Sequence, residues 1–365
     1  MSATTGPAIE LLLTMGEELA GKDPARALEC LRQAADLAAA AGDPGLESNA
    51  LSDLGALAIA QGDYDAAGKS LERAIALARE GDDDLALARA LNALGLLRKR
   101  QGAAEDGLAY LRESLGRTSE AAHDDAAAAV RAETLEYLGA TYRDTGDAKQ
   151  AFVYFQEALE IRRASGDEAG IASCRNQLGN LCYRMGQFQD AQRHYQLALE
   201  TRRAAGDRSG TASTLNNLAG TAMLLGNLRE AASLFEESLA ITEELGDPHR
   251  IASLLSNIGL LRSYEGRVDE AESLFVAGLE IHRERGDLVG QAHALNNMSD
   301  LAVERGRPEE AIRLADECIR TWTRAGRSEA LPKPWVNRGR ALIELDRLAE
   351  ARQAAREAID AAART

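Results

Sequence analysis

The sequence predicts an all-α solenoid built from about nine helical hairpins. A glycine recurs along the chain every 40 residues, with one interval of 44. Apolar residues on both sides of each glycine keep the 3-and-4 spacing of a helix face. Although 45% of the residues are hydrophobic, only 4% are aromatic, which is typical of closely packed helices rich in Ala and Leu. The recurring glycines are Gly62, Gly102, Gly146, Gly186, Gly226, Gly266 and Gly306.

Each repeat has the pattern of two amphipathic helices joined at the recurring glycine. In the segment 212–241, Leu215, Leu218 and Ala222 share one face before Gly226, and Phe235 lies on the matching face after it. Gly-Asp pairs mark the outer boundaries of the hairpins. In each pair the glycine can adopt the left-handed conformation that ends a helix, and the aspartate can cap the next helix. These pairs lie at 42–43, 81–82, 166–167, 206–207, 246–247 and 286–287.

Small and bulky residues alternate at fixed positions around each turn. In the fourth unit, Gly139 lies seven residues before Gly146, and Ala151 lies five residues after it. The bulky Phe155 follows four residues later. Two helices that cross tightly need small side chains where their backbones approach. The pattern therefore predicts small-to-large interdigitation between the two helices of each hairpin.

The repeat covers essentially the whole chain, so we predict a single array over residues 1–365 and not the two or three domains typical of this length. The 44-residue interval predicts a lengthened helix or local kink near His123, Asp124 and Asp125, because four added residues nearly preserve helical phase. The last unit has Asp346 in place of the turn glycine. The predicted units are about 8–44, 45–83, 84–126, 127–167, 168–207, 208–247, 248–287, 288–327 and 328–365.

The repeat resembles the tetratricopeptide repeat. The residues that carry the resemblance in the fifth unit are Leu178-Gly179, Gly186, Ala191, Tyr195 and Ala198-Leu199. The 40-residue period is similar to the long-helix subclass found in Pins/LGN-type scaffolds, kinesin light chains and many bacterial signalling regulators. This resemblance implies a right-handed superhelix in which the first helix of each pair lines a concave groove. It also implies binding of peptides or partner proteins, since very few members do chemistry.

Composition and charge exclude several classes of protein. Lys and Arg number 42 against 58 Asp and Glu, and the formal net charge of −16 argues against general nucleic-acid binding. No apolar run approaches the roughly 18 residues of a membrane span, and the first residues lack the basic segment of a signal peptide, so we expect a cytoplasmic protein. Four scattered cysteines are expected to be small core residues. They are Cys30, Cys174, Cys182 and Cys318.

The chain carries no motif of an enzyme or of a cofactor site. It contains no Gly-rich phosphate loop, no H-E-x-x-H and no G-x-S-x-G. We therefore expect a non-enzymatic protein without a cofactor. His282 and His293 lie in different predicted helices, and no third ligand is in evident register with them, so no metal site is expected.

Asparagines recur on the face that the resemblance places in the groove. Four consecutive units carry one at 40-residue spacing, although asparagine is a poor residue for the middle of a helix. An amide can hydrogen-bond both the N–H and the C=O of an extended peptide, so we predict peptide contact. The alternative is that the amides bridge neighbouring repeats, and the two roles can coexist. These residues are Asn92, Asn176, Asn180, Asn216, Asn217, Asn257, Asn296, Asn297 and Asn337.

Basic and aromatic residues lie around these asparagines. In a chain of net charge −16, an inward basic cluster is a candidate anchor for carboxylates, because arginine binds them bidentately. Tyrosines supply rigid contact area. The candidates are Arg89, Lys99, Arg100, Arg143, Arg184, Tyr183 and Tyr264. Acidic residues in the same register could pair with the cations instead, namely Glu133, Glu136, Asp144, Asp300 and Glu304.

From these features we predict a non-enzymatic scaffold whose concave face, over residues 89–340, binds an extended or helical segment of a protein or peptide partner. The basic candidates favour a partner segment that is acidic or extended. One alternative is the peptide-sensing regulatory region of a larger signalling protein. Another is a self-assembling oligomer, because Ile9, Leu12 and Leu13 occupy positions that in later units point into the groove, and exposed apolar patches mark contacts.

Overall fold

In a computed structural model the chain is helical throughout the residues that the structure describes, which are 5–21, 23–119 and 124–363. This part of the chain contains 18 α-helices, a short 3₁₀ turn at Ser328–Ala330 and no strand. The predicted all-α solenoid is confirmed. None of the helices in these ranges combines the length and the apolar character that a membrane span requires.

The chain divides into two compact units, Met1–Gly186 and Gln187–Thr365. One continuous array over the whole chain stays a prediction. The helices of the first unit are α1 (Thr5–Leu19), α2 (Pro24–Ala41), α3 (Pro44–Gln61), α4 (Tyr64–Glu80), α5 (Asp84–Arg100), α6 (Ala104–Arg117), α7 (Asp125–Asp144), α8 (Ala148–Ala164) and α9 (Glu168–Arg184). Those of the second unit are α10 (Phe188–Ala204), α11 (Arg208–Leu224), α12 (Leu228–Leu245), α13 (Pro248–Tyr264), α14 (Val268–Glu284), α15 (Leu288–Glu304), α16 (Pro308–Arg324), α17 (Pro332–Glu344) and α18 (Leu348–Ala362).

Within each unit the helices pack as hairpins in chain order. In the first unit α1 packs on α2, α3 on α4, α5 on α6 and α7 on α8, and in the second unit α11 packs on α12 and so on to α17 on α18. The first helices of successive hairpins also contact one another, for example α3 with α5 and α5 with α7. They form a row along one face of their unit, and this row positions the candidate site.

The lengthened helix predicted for the 44-residue interval is α7, which has 20 residues where α8 has 17. It begins at Asp125, directly after its capping residue Asp124. His123 lies outside the described residues. Helix α7 is therefore three residues longer than α8, while α6, which precedes the connection, has only 14 residues.

Aspartate caps define where most of the first helices begin. Asp43 accepts a backbone N–H at 3.0 Å, and Gly42 before it has a φ of 69°, as the Gly-Asp pair predicts. The prediction is wrong at 81–82, where Gly81 has a φ of −84° and Asp82 takes the left-handed φ of 51°. The cap is Asp83, which accepts a backbone N–H at 2.9 Å. In both connections the left-handed residue immediately precedes the capping aspartate.

Glycines on the first helices face bulky side chains of the second helices. A Cβ on Gly139 would lie 2.8 Å from the ring of Phe155, and one on Gly259 would lie 2.7 Å from Phe275, closer than carbon atoms pack. Both rings are buried, and Phe155 lies in a core made largely of Ala and Leu. The predicted interdigitation is confirmed for these hairpins. Every cysteine except the half-buried Cys30 is buried, as predicted.

Three apolar residues of α1 pack into the core of the first unit, whereas Leu11 is 61% exposed. Ile9 is completely buried and packs with Ala34, Ala38 and neighbouring residues of the first two hairpins. Leu12 and Leu13 are half-buried and pack against the same core. Ile9 therefore does not point into an open groove, because it packs into the core that α1 forms with α2 and α3. Self-association through Leu12 and Leu13 stays a prediction.

Candidate functional site

The first unit contains a cavity of ≈ 380 Å³ on the face formed by its first helices. Residues of α1, α3, α5 and α7 line it, together with Arg162 from α8. In this unit the first helices therefore enclose a concave surface. The lining includes Glu17, Asp53, Arg89, Asn92, Glu133 and Tyr137.

Asp53 is the most perturbed carboxyl group of this cavity. Burial raises its pKa from 3.8 to about 7; the charge of Glu17 adds to the rise, Arg89 opposes it, and Glu133 adds further. Near neutral pH the carboxyl group can therefore either donate or accept a hydrogen bond. Asp53 was not among the residues predicted from the sequence, although it lies two residues before Gly55, in the register that holds asparagines in later repeats.

Arg89 and Asn92 are groove residues predicted from the sequence, and both line this cavity. In the described part of the chain Arg89 is exposed and has no ion-pair partner within 4.0 Å. Asn92 is buried; its Oδ1 accepts a hydrogen bond from Thr134 at 2.9 Å, and its Nδ2 donates to Glu133 at 3.4 Å. Asn92 therefore links α5 to α7, whereas Arg89 presents its charge to the cavity.

A second cavity of ≈ 440 Å³ shares Glu133, Tyr137 and Arg162 with the first and extends to α9. In it, the carboxylate of Glu136 accepts hydrogen bonds from Ser173 at 2.8 Å and from Arg162 at 3.3 Å. Burial raises the pKa of Glu136, although these two partners oppose the rise. The shared lining makes the two cavities one polar groove that runs from α1 to α9.

Three predicted basic residues meet around Asp144. Its carboxylate lies 2.6 Å from Lys99 Nζ, 3.0 Å from Arg143 Nε and 3.9 Å from Arg184 Nη1. Burial raises the pKa of Asp144, but hydrogen bonds from Lys99 and Arg143 outweigh it and hold the pKa below 3.8. The three basic residues thus pair with Asp144, an acidic residue of the same repeat register. This agrees with the alternative that acidic residues of the register pair with the cations. Three cations against one carboxylate nevertheless leave excess positive charge.

Gln177 connects this cationic cluster to the second cavity. It lines that cavity, and its Oε1 accepts hydrogen bonds from Arg143 at 2.8 Å and from Asn180 at 3.3 Å. Gln177 was not predicted from the sequence, because glutamine occurs at this repeat position only once, whereas asparagine recurs there in the four following units. Of the other candidates in this unit, Asn176 is half-buried, and Arg100 and Tyr183 are exposed.

In the second unit the asparagines bridge neighbouring repeats. The Nδ2 of Asn257 on α13 donates to Asn216 Oδ1 on α11 at 2.8 Å. Asn337 on α17 donates to the backbone carbonyl of Asn296 on α15 at 3.5 Å. In these two pairs the amides therefore join neighbouring repeats, which is the alternative to peptide contact that the sequence left open. Contact with a peptide stays a prediction.

The other predicted residues of the second unit lie on separate parts of its surface. Asn217 lines a cavity of ≈ 240 Å³ between α11, α12 and α13 together with Asn216. Tyr264 is 63% exposed, and Asn297 is half-buried. Asp300 pairs with Arg340 at 2.7 Å. The second unit has no cationic cluster like that around Asp144 among these residues.

Stacked helical hairpins with a polar row of first helices define a solenoid of the protein-interaction class. The family model described as tetratricopeptide repeat matches residues 46–120, 130–204, 210–284 and 250–324. A second model of the same description matches residues 332–365. The matches cover most of the chain, which belongs to the tetratricopeptide repeat family.

Solved structures with the same fold have little sequence identity to this chain. The apo form of the quorum sensor NprR from B. thuringiensis is 17% identical over 98% of this chain and 97% of its own, with a TM-score of 0.69. Aspartyl phosphate phosphatase F from Bacillus subtilis is 14% identical over 99% and 94%, with a TM-score of 0.65. BtubC from P. vanneervenii is 23% identical over 61% and 92%, with a TM-score of 0.53. No curated protein matches the chain significantly.

Proposed function

We propose that this protein is a non-enzymatic interaction scaffold, and that the groove of its first unit binds an extended, acidic segment of a peptide or protein partner. The observation that carries the proposal is the cluster of Lys99, Arg143 and Arg184 around the single carboxylate of Asp144. Arg184 is 56% exposed, so its guanidinium is accessible to a ligand carboxylate. Arginine binds carboxylates bidentately, and such charge-assisted hydrogen bonds are stronger than neutral ones.

The length of the groove suits an extended segment. It crosses the five first helices α1, α3, α5, α7 and α9. At roughly 10 Å between adjacent helix axes this is a path of roughly 40 Å, which an extended segment of about 12 residues spans. Arg89 provides a further positive charge toward the other end of this path. Asp53 lines the same cavity and can donate or accept a hydrogen bond with a ligand backbone near neutral pH.

The experiment is selection of binders from a library of random peptides of about 12 residues displayed on phage, with the full chain as bait. We expect the selected peptides to be enriched in Asp and Glu. Replacing the cations in an Arg143→Gln, Arg184→Gln double variant should weaken binding of the selected peptides at least tenfold by fluorescence anisotropy. Circular dichroism checks that the double variant is folded.

The matched control is an Arg79→Gln, Arg117→Gln double variant, which also removes two positive charges. Arg79 on α4 pairs with Glu113 at 3.1 Å, and Arg117 on α6 pairs with Asp84 at 3.0 Å, so both charges lie away from the groove lining. Its binding should equal that of the unaltered chain. Selected peptides without an excess of acidic residues, or equal losses in the first double variant and the control, would contradict the proposal.

A second candidate function is peptide sensing within a signalling protein. It is favoured by the fold shared over nearly the full length with a protein described as a quorum sensor. The two functions differ in their response to ligand, since a sensor must change conformation whereas a scaffold need not. Small-angle scattering with and without a selected peptide distinguishes them, because only a sensor should change its radius of gyration.

A further inference from the structure

Two histidines and an aspartate meet in the second unit, on three successive helices. His249 is on α13, His282 is on α14, and Asp287 is the N-cap of α15. Asp287 Oδ2 lies 2.8 Å from His282 Nδ1 and 3.0 Å from His249 Nε2. All three atoms lie within 4.8 Å of one another. The sequence predicted no metal site, because His282 and His293 had no third ligand in evident register; in the structure His293 packs against Trp322 with ring centroids 4.9 Å apart.

Two of these atoms are buried without a hydrogen bond. His282 is 3% exposed, and neither its Nδ1 nor Asp287 Oδ2 has an aligned hydrogen-bond partner among the described residues, despite their close approach. The helix cap uses only the other oxygen of Asp287, which accepts the N–H of Gly290 at 3.0 Å. A buried polar atom left unsatisfied costs about 1–3 kcal/mol. A cation bound between these atoms would satisfy both.

The corresponding position in two other repeats holds an arginine. Arg162 lies 2.7 Å from its capping Asp167, and Arg202 lies 3.7 Å from Asp207. At the same register His282 replaces the fixed positive charge with an imidazole. An imidazole nitrogen, unlike a guanidinium, can act as a metal ligand. The capping carboxylate of this repeat therefore lacks the fixed cation that it has in those two.

The backbone leaves room for the cluster. A Cβ on Gly290 would overlap both His282 Nδ1 and Asp287 Oδ2, so only glycine permits the imidazole and the carboxylate to converge here. His249 is 63% exposed, which leaves one side of the cluster open to solvent. The site has two buried ligand atoms fixed by the fold and a third that can adjust.

We propose that His249, His282 and Asp287 bind a divalent transition-metal ion of the Zn²⁺ type. Two imidazole nitrogens and one carboxylate oxygen suit Zn²⁺, whereas Ca²⁺ and Mg²⁺ prefer oxygen ligands. Ligand atoms of a tetrahedral zinc site lie about 3.3–3.6 Å apart, so the distances from Asp287 Oδ2 to the two imidazole nitrogens need to lengthen by about 0.3–0.8 Å. The fourth position faces solvent beside His249 and takes water or a ligand group. The bound ion would join α13, α14 and α15 and stabilise their packing.

The test is titration of the metal-free full chain with Zn²⁺ by calorimetry, together with a thermal melt. We expect one equivalent of Zn²⁺ to bind and to raise the melting temperature. His249→Ala, which removes an exposed ligand, should weaken binding at least tenfold and abolish the rise. Asp287→Asn should also weaken binding at least tenfold, because it removes the carboxylate ligand. This variant should still fold, since its amide oxygen can cap α15.

The matched control is His293→Ala, which removes a histidine of the same unit from outside the cluster and should bind Zn²⁺ like the unaltered chain. Substitution with Co²⁺ should give visible bands without thiolate charge transfer, which excludes ligation by the cysteines. Absence of Zn²⁺ binding, equal affinities of His249→Ala and His293→Ala, or a thiolate band would each overturn the proposal.

Discussion

The raised pKa of Asp53 makes a prediction about stability that depends on pH. The folded chain holds this proton up to about pH 7, whereas a carboxyl group in the unfolded chain loses it near 3.8. Between these values the folded state binds more protons than the unfolded state, so this group lowers the free energy of unfolding as pH rises from about 4 to about 7. The substitution to test is Asp53→Asn, because an amide keeps the shape of a protonated carboxyl group and carries no charge at any pH.

The size of the effect follows from the change in pKa. A rise from 3.8 to about 7 corresponds to roughly 4 kcal/mol, at about 1.4 kcal/mol per pH unit. This is an upper bound, because Asp53 is not fully enclosed and solvent screens its charge. We expect Asp53→Asn to be about 2–4 kcal/mol more stable than the unaltered chain at about pH 8 and equally stable at about pH 4.

The assay is urea unfolding, followed by circular dichroism, of the unaltered chain and of Asp53→Asn at a series of pH values from about 4 to about 8. The difference between the two chains isolates Asp53 from the other titrating groups. Asp36→Asn, an exposed aspartate of α2 in the same unit, is the control and should show no such pH-dependent difference. If the stability of Asp53→Asn relative to the unaltered chain does not increase across this range, the inferred burial of this carboxyl group is wrong.

Two further predictions concern packing and the asparagine bridges. Gly139→Ala should destabilise the chain by about 1–3 kcal/mol in urea unfolding, because its Cβ overlaps Phe155. Gly68→Ala, whose Cβ meets its nearest neighbour at 3.9 Å, should instead stabilise the chain by about 0.5–1 kcal/mol. If both substitutions changed the free energy of unfolding in the same direction, the packing argument would be wrong. Asn257→Ala should cost about 1 kcal/mol by breaking its hydrogen bond to Asn216, and a double-mutant cycle with Asn216→Ala that shows no coupling would contradict the bridge.

Much of the fold follows from the sequence because its signals are local. The turn at Gly226 and the caps at Asp43 and Asp247 depend on residues a few positions apart, and the structure has them where the sequence predicts them. The error at 81–82 is also local. Three successive aspartates follow Gly81, and only the geometry of the connection determines that the second of them, Asp83, caps α5.

The candidate site could be predicted only in part. The repeat register identified Arg89, Asn92 and the cations around Asp144, because residues at equal positions of successive first helices lie side by side. It did not identify Asp53 as an acid of raised pKa, since that depends first on burial in the folded unit and then on charges contributed by α1, α5 and α7. The register also could not distinguish asparagines that join repeats from asparagines that face a ligand.

The helical hairpins of this chain can be read from its residues alone, because a 40-residue period of glycine, alanine and bulky residues specifies turns and close helix contacts through short-range sterics. Which polar side chains meet is a property of the folded chain. Asp53 with Glu17, Lys99 with Asp144, and His249 with His282 and Asp287 are all brought together from different helices. Such meetings depend on how neighbouring hairpins pack and on side-chain rotamers, which a repeat period does not specify.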